Sequence, residues 1–122
     1  MAAERADKLL QLDKLIHLPQ EGRYLGENLY MILGDYSNCH AVTKYWYDEF
    51  VEEKFDFKNP GYNVLTGHAT QVIWSGTINI GCAQRIFIIK GNGLIKQYTV
   101  CMYDPAGNMI GQFRQNIFPP IH

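Results

Sequence analysis

Two histidines and two glutamates are the residues of this chain best suited to chemistry. His17, His68, Glu27 and Glu49 combine imidazole and carboxylate groups, which suit a divalent cation, zinc especially, or proton transfer near neutral pH. The spacing alone is a weak signal, because the four residues are scattered and lack the i, i+4 pairing of a His-Glu-x-x-His helix. The fold must bring them together.

Glu49 is predicted to lie on the apolar face of a helix, among Val42, Trp46 and Phe50. A buried, ionised carboxylate is costly unless it is paired, hydrogen-bonded or bound to a cation. The alternative is a glutamate at the solvent-exposed edge of that helix. Glu27 likewise has two interpretations, since its side chain can point into a cleft or into water.

The two histidines occupy different predicted settings. His68 follows Gly67 at the mouth of a predicted strand, where glycine allows the backbone to approach a site closely. His17 is predicted to close the first helix, where interaction with the helix dipole is the alternative to a ligand role. His40 and His122 are predicted to be exposed and ordinary.

Nucleophilic and nucleotide chemistry are disfavoured. The chain has no Gly-x-Ser-x-Gly elbow, and Cys82 and Cys101 fall in predicted strands, where a structural role is the default. The glycines of 91–93 belong to a predicted hairpin turn with no helix after it, so they do not form a phosphate-binding loop.

Two helices are predicted in the first half of the chain. Apolar residues at spacings of three and four predict a helix from Ala2 that ends near Pro19. A second helix begins after a cap at Ser37 or Asn38 and runs to about Glu53. Between them, Leu18 to Gly26 is predicted to be a loop, because it contains Pro19, Gly22 and Gly26. The conformation of the short ordered segment that follows, Glu27 to Met31, is left open.

Strands are predicted in the second half, over Gln71 to Trp74, Ile80 to Ile89 and Leu94 to Tyr103. The last two flank Gly91-Asn92-Gly93 and form an antiparallel hairpin. Helices followed by a hairpin indicate an α+β or layered α-β-α domain.

The register of this hairpin decides whether a disulfide can form. If Lys90 pairs with Gly93, Cys82 lies opposite Cys101 and a bridge is geometrically possible. A turn that starts one residue later offsets the cysteines. Cys39 is then the third thiol, left unpaired within one chain.

Composition limits the function classes. The 122 residues and 14.0 kDa predict a single domain spanning 1–122, and 47% hydrophobic residues supply a core. The net charge of −1, from 11 basic and 12 acidic residues, argues against a nucleic-acid binder.

No apolar run approaches the roughly 20 residues of a membrane span, so at most peripheral membrane association is expected. The N-terminus as given has no signal peptide.

Four segments combine into a recognisable order. They are Gly26-Glu27-Asn28-Leu29, Trp46-Tyr47-Asp48-Glu49, Gly67-His68-Ala69-Thr70-Gln71-Val72-Ile73-Trp74 and Tyr103-Asp104-Pro105-Ala106-Gly107-Asn108. This order resembles the CAP superfamily of cysteine-rich secretory proteins, antigen 5 and pathogenesis-related 1 proteins, whose domain is also called the SCP domain. The resemblance covers about Leu10 to the C-terminus. The closing segment 111–120 is similar to the Golgi-associated plant pathogenesis-related branch.

The resemblance implies an α-β-α sandwich with a central antiparallel sheet. It makes one cleft of the scattered set, in which His17 and His68 bind a divalent cation, often zinc, and Glu27 and Glu49 support them. Tyrosines and apolar residues beside such clefts are associated with sterol and fatty-acid binding. Family members act in secretion and defence, and no general enzymatic activity is established for the fold.

The chain also departs from the family pattern. The family's first helix, with its His-Asn-x-x-Arg pattern, has no counterpart before Ala2. We therefore expect an N-terminally truncated domain whose apolar sheet face is exposed or covered by a protein partner or a second copy. Leu18 and Ala69 replace the family's usual serine and aromatic residue, which predicts a reshaped cleft.

A non-enzymatic domain that binds a divalent cation and a lipid or sterol is the expected function. The alternative is a metal-assisted or His/Glu-assisted hydrolase, protease-like, in which Glu49 and His68 act on a water molecule. A third hypothesis is a scaffold that has lost ligand binding. An extracellular location is expected, with the cytosolic side of Golgi membranes as the alternative.

Overall fold

The computed structural model describes residues 1–20 and 24–119. The predictions for Gly22, His122 and the end of the closing segment therefore lie outside the described residues. The elements, in chain order, are α1 (Ala2–Leu12), β1 (Gly26–Leu33), α2 (Cys39–Tyr47), α3 (Glu49–Glu52), α4 (Gly67–Ile73), β2 (Asn79–Ile88), β3 (Ile95–Asp104) and α5 (Phe113–Asn116). The strands form an antiparallel sheet in the order β1-β3-β2, so the predicted α+β class is confirmed.

Helices cover both faces of this sheet. On one face, α1 packs through Ala6 and Leu9 onto Val100 and its neighbours in β3. On the other, the α2 residues Val42 and Trp46 pack onto Cys101 and Tyr103. Because successive residues of a strand point to opposite faces, β3 contributes to both layers. The predicted α-β-α sandwich is thus present, with β3 at its centre.

The first helix is shorter than predicted. It ends at Leu12, not near Pro19, because Asp13 adopts a left-handed conformation with φ of 53°. The Asp13 carboxylate accepts hydrogen bonds from Lys96 Nζ and from the Tyr98 hydroxyl, both at 2.7 Å. The Lys96 and Tyr98 hydrogen bonds lower the pKa of Asp13, while burial and the bond to Asp13 raise the pKa of Tyr98 to about 12. These bonds fasten the end of α1 to β3.

His17 consequently does not close a helix. It lies in the segment between α1 and β1, five residues beyond Leu12. The helix-dipole interpretation of this histidine is therefore wrong, since such dipole effects are confined to the last turn of a helix.

The second predicted helix is divided in two. Asn38 caps α2, with its Oδ1 accepting from Ala41 N at 2.8 Å, as one of the two predicted caps. The helix ends at Tyr47, and Glu49 begins the short α3. Glu49 thus lies at the start of a separate turn.

The predicted strand over Gln71 to Trp74 is wrong. These residues belong to α4 and its C-terminal cap, so His68 lies on a helix and not at the mouth of a strand. The β-branched and aromatic residues of 72–74 favour a strand locally, but such preferences yield to tertiary context. Here that context includes hydrogen bonds that reach α4 from β1 and from the segment after β3.

The hairpin forms, and its register is the one of the two considered that places Cys82 opposite Cys101. Residues whose numbers sum to 183 face each other across β2 and β3, including Cys82 and Cys101. Gly91 and Gly93 both adopt positive φ in the turn, a conformation that glycine takes without steric cost. Cys82 and Cys101 form a disulfide, and Cys39 is free.

An apolar strip of β2 is exposed. Ile80, Ile86 and Ile88 are 58%, 52% and 63% exposed and lie on the same side of the sheet as α2. That an absent helix leaves a sheet face uncovered, and that a partner or second copy covers this face, stay predictions. Within the described residues, no helix is long and apolar enough to cross a membrane.

Replacing both Cys82 and Cys101 with alanine should lower the free energy of unfolding by about 3 kcal/mol, because the bridge closes a loop over a separation of 19 residues in the unfolded chain. Urea unfolding under non-reducing conditions measures the change. Cys39→Ala is the matched control and should leave the midpoint nearly unchanged. Equal midpoints for the double variant and the parent would contradict the prediction.

Candidate functional site

His68 and Glu49 form one half of the site. The His68 Nδ1 atom lies 2.9 Å from Glu49 Oε2, and the other oxygen, Oε1, accepts a hydrogen bond from Ala69 N at 2.9 Å. The His68 ring also stacks on Trp46, with ring centroids 5.7 Å apart. Glu49 is 16% exposed at its side chain, so it points inward and has partners, as one of its two interpretations predicts.

His17 and Glu27 form the other half. The His17 Nδ1 atom lies 2.7 Å from Glu27 Oε1, while Glu27 Oε2 accepts from Nε of Arg5. The Glu27 side chain is only 4% exposed, whereas that of His17 is 68% exposed. In both halves a carboxylate engages Nδ1, which leaves Nε2 as the imidazole atom for a further ligand.

Both histidines line one small cavity. It has a volume of about 140 Å³, and its walls are His17, Glu27, Asn28, Tyr62, Val64, Gly67, His68 and Asn108. Glu49 is not among these wall residues and stands behind His68. The structure thus brings the two predicted ligands and Glu27 to one space.

The two imidazoles are the predicted donors for a metal ion. Among the described residues, no three His, Cys, Asp or Glu side chains are grouped closely enough to hold an ion. Two imidazoles oriented by carboxylates fit a divalent cation only if water or an added ligand completes the coordination. His17 and His68 are the residues that would hold it.

Hydrogen bonds and neighbouring charges shift the pKa values of His17 and Glu27. The hydrogen bond that His17 donates to Glu27 raises the pKa of His17, although burial opposes this. Burial also acts to raise the pKa of Glu27, but hydrogen bonds from His17 and Arg5 outweigh it and lower that pKa. Glu27 is therefore a carboxylate held in its ionised form.

Two asparagines position the helix that carries His68. Asn28 Nδ2 donates to the His68 carbonyl oxygen at 3.1 Å and to the Tyr103 hydroxyl at the same distance. Asn108 Nδ2 donates to the Gly67 carbonyl oxygen at 2.8 Å, and its Oδ1 accepts from Thr70 at 2.6 Å. Neither asparagine was singled out as a site residue, although both lie in the motifs that carry the family resemblance.

Arg5 is also absent from the site residues predicted from the sequence. It lies on the apolar face of α1, since it is three residues from Ala2 and four from Leu9. A charge on an apolar helix face is the same signal that drew attention to Glu49. Applied to α1, that signal identifies Arg5.

Several known proteins are similar to this chain in sequence. The chain is 36% identical over 103 residues to Protein PRY2 of Saccharomyces cerevisiae, 32% over 112 residues to the cysteine-rich venom protein helothermine of Heloderma horridum horridum, and 35% over 98 residues to pathogenesis-related protein 1B of Nicotiana tabacum. These alignments cover 84%, 88% and 80% of this chain and 28%, 45% and 54% of the relatives. The chain belongs to the CAP superfamily. It spans between about a quarter and about half the length of these relatives.

A solved structure agrees with this assignment. The structure of BmVAL-1 matches with a TM-score of 0.62 and 27% identity, covering 89% of this chain and 58% of that one. No family model matches the chain. The superfamily resemblance is confirmed, while the Golgi-associated branch and the truncation of the CAP domain stay predictions.

A larger groove adjoins the cavity of this CAP domain. It has a volume of about 750 Å³ and shares His17, Glu27, Tyr62 and Asn108 with the smaller cavity. The outer residues of the groove include Tyr24, Met109 and Ile110, which are 67%, 43% and 79% exposed. An apolar surface therefore leads away from the His17 half of the site.

A packed glutamine fixes one wall of this groove. Gln71 Oε1 accepts from Gly107 N at 2.9 Å. A Cβ atom on Gly26 would lie 2.0 Å from Gln71 Oε1, and one on Gly107 would lie 2.5 Å from Nε2. Glycine at these two positions lets the buried amide lie between β1 and the loop after β3.

The midpoint of the His17 titration should lie above 6.5, and Glu27→Gln should lower it, because the neutral amide no longer stabilises the imidazolium. The stabilisation from His17 is present below its ordinary pKa of 6.5 and is lost as pH rises through the raised value. The stabilisation from Glu27 is present above its ordinary pKa of 4.5 and is lost as pH falls through the lowered value. The His17–Glu27 pair therefore stabilises the fold most between pH 4.5 and pH 6.5.

Proton NMR of the imidazole ring measures the midpoint in the parent and in Glu27→Gln. Glu52→Gln, at an exposed glutamate of α3, is the matched control and should leave the His17 midpoint in place. The same midpoint in Glu27→Gln as in the parent would show that the 2.7 Å contact does not stabilise the imidazolium.

Proposed function

We propose that this CAP domain binds a divalent cation, zinc by preference, through Nε2 of His17 and His68, and that the adjoining groove binds a lipid or sterol. The observation that carries the proposal is the shared orientation of the two imidazoles, each with Nδ1 on a carboxylate. Metal-ligating histidines commonly use this arrangement, because it fixes the ring and makes Nε2 more basic.

Each supporting carboxylate is itself held by a further donor. Glu27 accepts from Arg5, and Glu49 accepts from Ala69 N. A bound cation would have its remaining positions open to water or to a polar group of a second ligand. It would act as a Lewis acid toward that group.

The hydrogen bonds of Glu49 favour binding over hydrolysis. A general base needs an oxygen within reach of a water molecule. Both Glu49 oxygens are engaged by groups of its own chain, His68 Nδ1 and Ala69 N. Glu49 is thus better suited to orienting His68 than to deprotonating water, and the hydrolase alternative is the weaker candidate.

An extracellular role fits this chemistry best. Disulfides persist in oxidising compartments and are rare in the cytosol, and the Cys82–Cys101 bridge is formed. Among the relatives, helothermine is named a venom protein, and others are named cysteine-rich secretory proteins. These features support secretion and defence-type roles over the cytosolic side of the Golgi.

In a calorimetric zinc titration at neutral pH, the parent should bind about one equivalent of zinc. The His17→Ala, His68→Ala double variant should bind none, because both proposed protein ligands of the shared cavity are then removed. His40→Ala, at an exposed histidine of α2, is the matched control and should keep parental binding. Undiminished zinc binding by a folded double variant would refute the proposed site.

Ile110→Asp should weaken binding of a fluorescent sterol or fatty acid at least tenfold, because covering an isoleucine with a ligand contributes roughly 1.5 to 3 kcal/mol. Fluorescence titration measures the affinity. Ile86→Asp tests an isoleucine that is also exposed but lies on β2, outside the groove residues, and should leave affinity unchanged. Equal loss in both variants would indicate nonspecific adsorption to apolar surface.

A further inference from the structure

Arg5 places a positive charge inside the α1 layer of the sandwich. The residue is 8% exposed, although its helix has a solvent-facing side that carries the other charges of α1. Burying a guanidinium is costly unless hydrogen bonds and an opposite charge compensate for it. The partners of Arg5 therefore indicate what the burial achieves.

The guanidinium joins three separate segments. Its Nε donates to Glu27 on β1, Nη2 donates to the Leu18 carbonyl oxygen at 2.5 Å, and Nη1 donates to the Pro19 carbonyl oxygen at 3.3 Å. Arginine can make such contacts together because its planar fork presents several donors in fixed directions. Arg5 thus connects α1 to Glu27 and to the two residues that follow His17.

These contacts act on both supports of His17. The imidazole is 68% exposed, so surrounding atoms confine it little, and its polar contact is with Glu27. Arg5 fixes that carboxylate from the side opposite His17 and also fixes the backbone next to the histidine. By contrast, Glu49 in the other half is held by the backbone N–H of Ala69, which every residue type except proline provides.

We propose that Arg5 is the positioning residue for the His17 half of the cation site. It keeps Glu27 in its supporting role and holds the 17–19 segment so that His17 faces the shared cavity. This inference rests on the proposed cation binding, but its effect on His17 exists in the metal-free chain as well.

Arg5→Met tests the proposal, because methionine retains much of the aliphatic length and removes every donor. Zinc affinity should fall at least about tenfold and by no more than the roughly hundredfold that outright loss of Glu27, the outer partner of His17, would cost. Arg5→Lys keeps a cation beside Glu27 but cannot reach all three acceptors, so it should lose less affinity than Arg5→Met and at least threefold overall. Arg85→Met removes an arginine that pairs with Asp7 and lies outside the cavity walls, and it should bind zinc like the parent.

The second measurement is nitrogen NMR of the metal-free chain at a fixed alkaline pH. In the parent, His17 should carry its proton on Nδ1, which Glu27 accepts, and Arg5→Met should shift the proton toward Nε2. A merely structural role for Arg5 would lower stability but leave this tautomer in every folded variant. If Arg5→Met does not fold, as judged by circular dichroism, Arg5→Lys decides the question by the same two measurements.

The outcomes separate this inference from the proposed function. If the parent binds no zinc, the cation proposal fails, while the His17 tautomer still tests Arg5. Parental zinc affinity together with a parental tautomer in the folded arginine variants would overturn the positioning role. Loss of zinc affinity that is equal in Arg5→Met and Arg85→Met would overturn it too, because the effect would then not depend on the contacts that Arg5 makes with Glu27 and the 17–19 segment.

Discussion

The site depends on two side-chain amides that hold the first turn of α4. This helix has seven residues, fewer than an isolated helix needs to be stable in water. Asn28, from β1, and Asn108, from the loop after β3, donate hydrogen bonds to the carbonyl oxygens of His68 and Gly67. The position of the His68 imidazole is therefore set by the sheet and its loops, and the local sequence of α4 contributes little to it.

The two buried carboxylates of the site are compensated by different groups. Each imidazole needs a carboxylate on Nδ1, and each carboxylate needs compensation because it is largely buried. A backbone amide compensates Glu49, whereas a buried guanidinium compensates Glu27. A full positive charge beside Glu27 lowers its pKa and reduces its attraction for a bound cation. This distinction favours Glu27 as a support for His17 and disfavours it as a direct ligand.

The features that the sequence predicts well are those fixed by local patterns. The glycines at 91–93 identify the hairpin turn, although not its register, and apolar spacing identifies the buried face of α1. The errors arise where distant contacts override local preference. Asp13 ends α1 because β3 supplies Lys96 and Tyr98, which no pattern within residues 2–19 reveals. In the same way, α4 is helical despite its strand-like residues. The grouping of His17 with Glu27 in one site follows from the family resemblance, and the predicted site does not include Arg5.

The proposed site, with two protein ligands beside an apolar groove, would differ in use from a closed structural metal site. A closed site saturates its cation with protein groups, whereas two imidazoles leave coordination positions that an added molecule can occupy. The groove shares His17 and Glu27 with the cavity and continues toward Met109 and Ile110. In the proposed function, one amphipathic molecule can therefore place its polar end at the cation and its apolar part along the groove. Cation and lipid binding would then be coupled, because each ligand contributes part of the other's site.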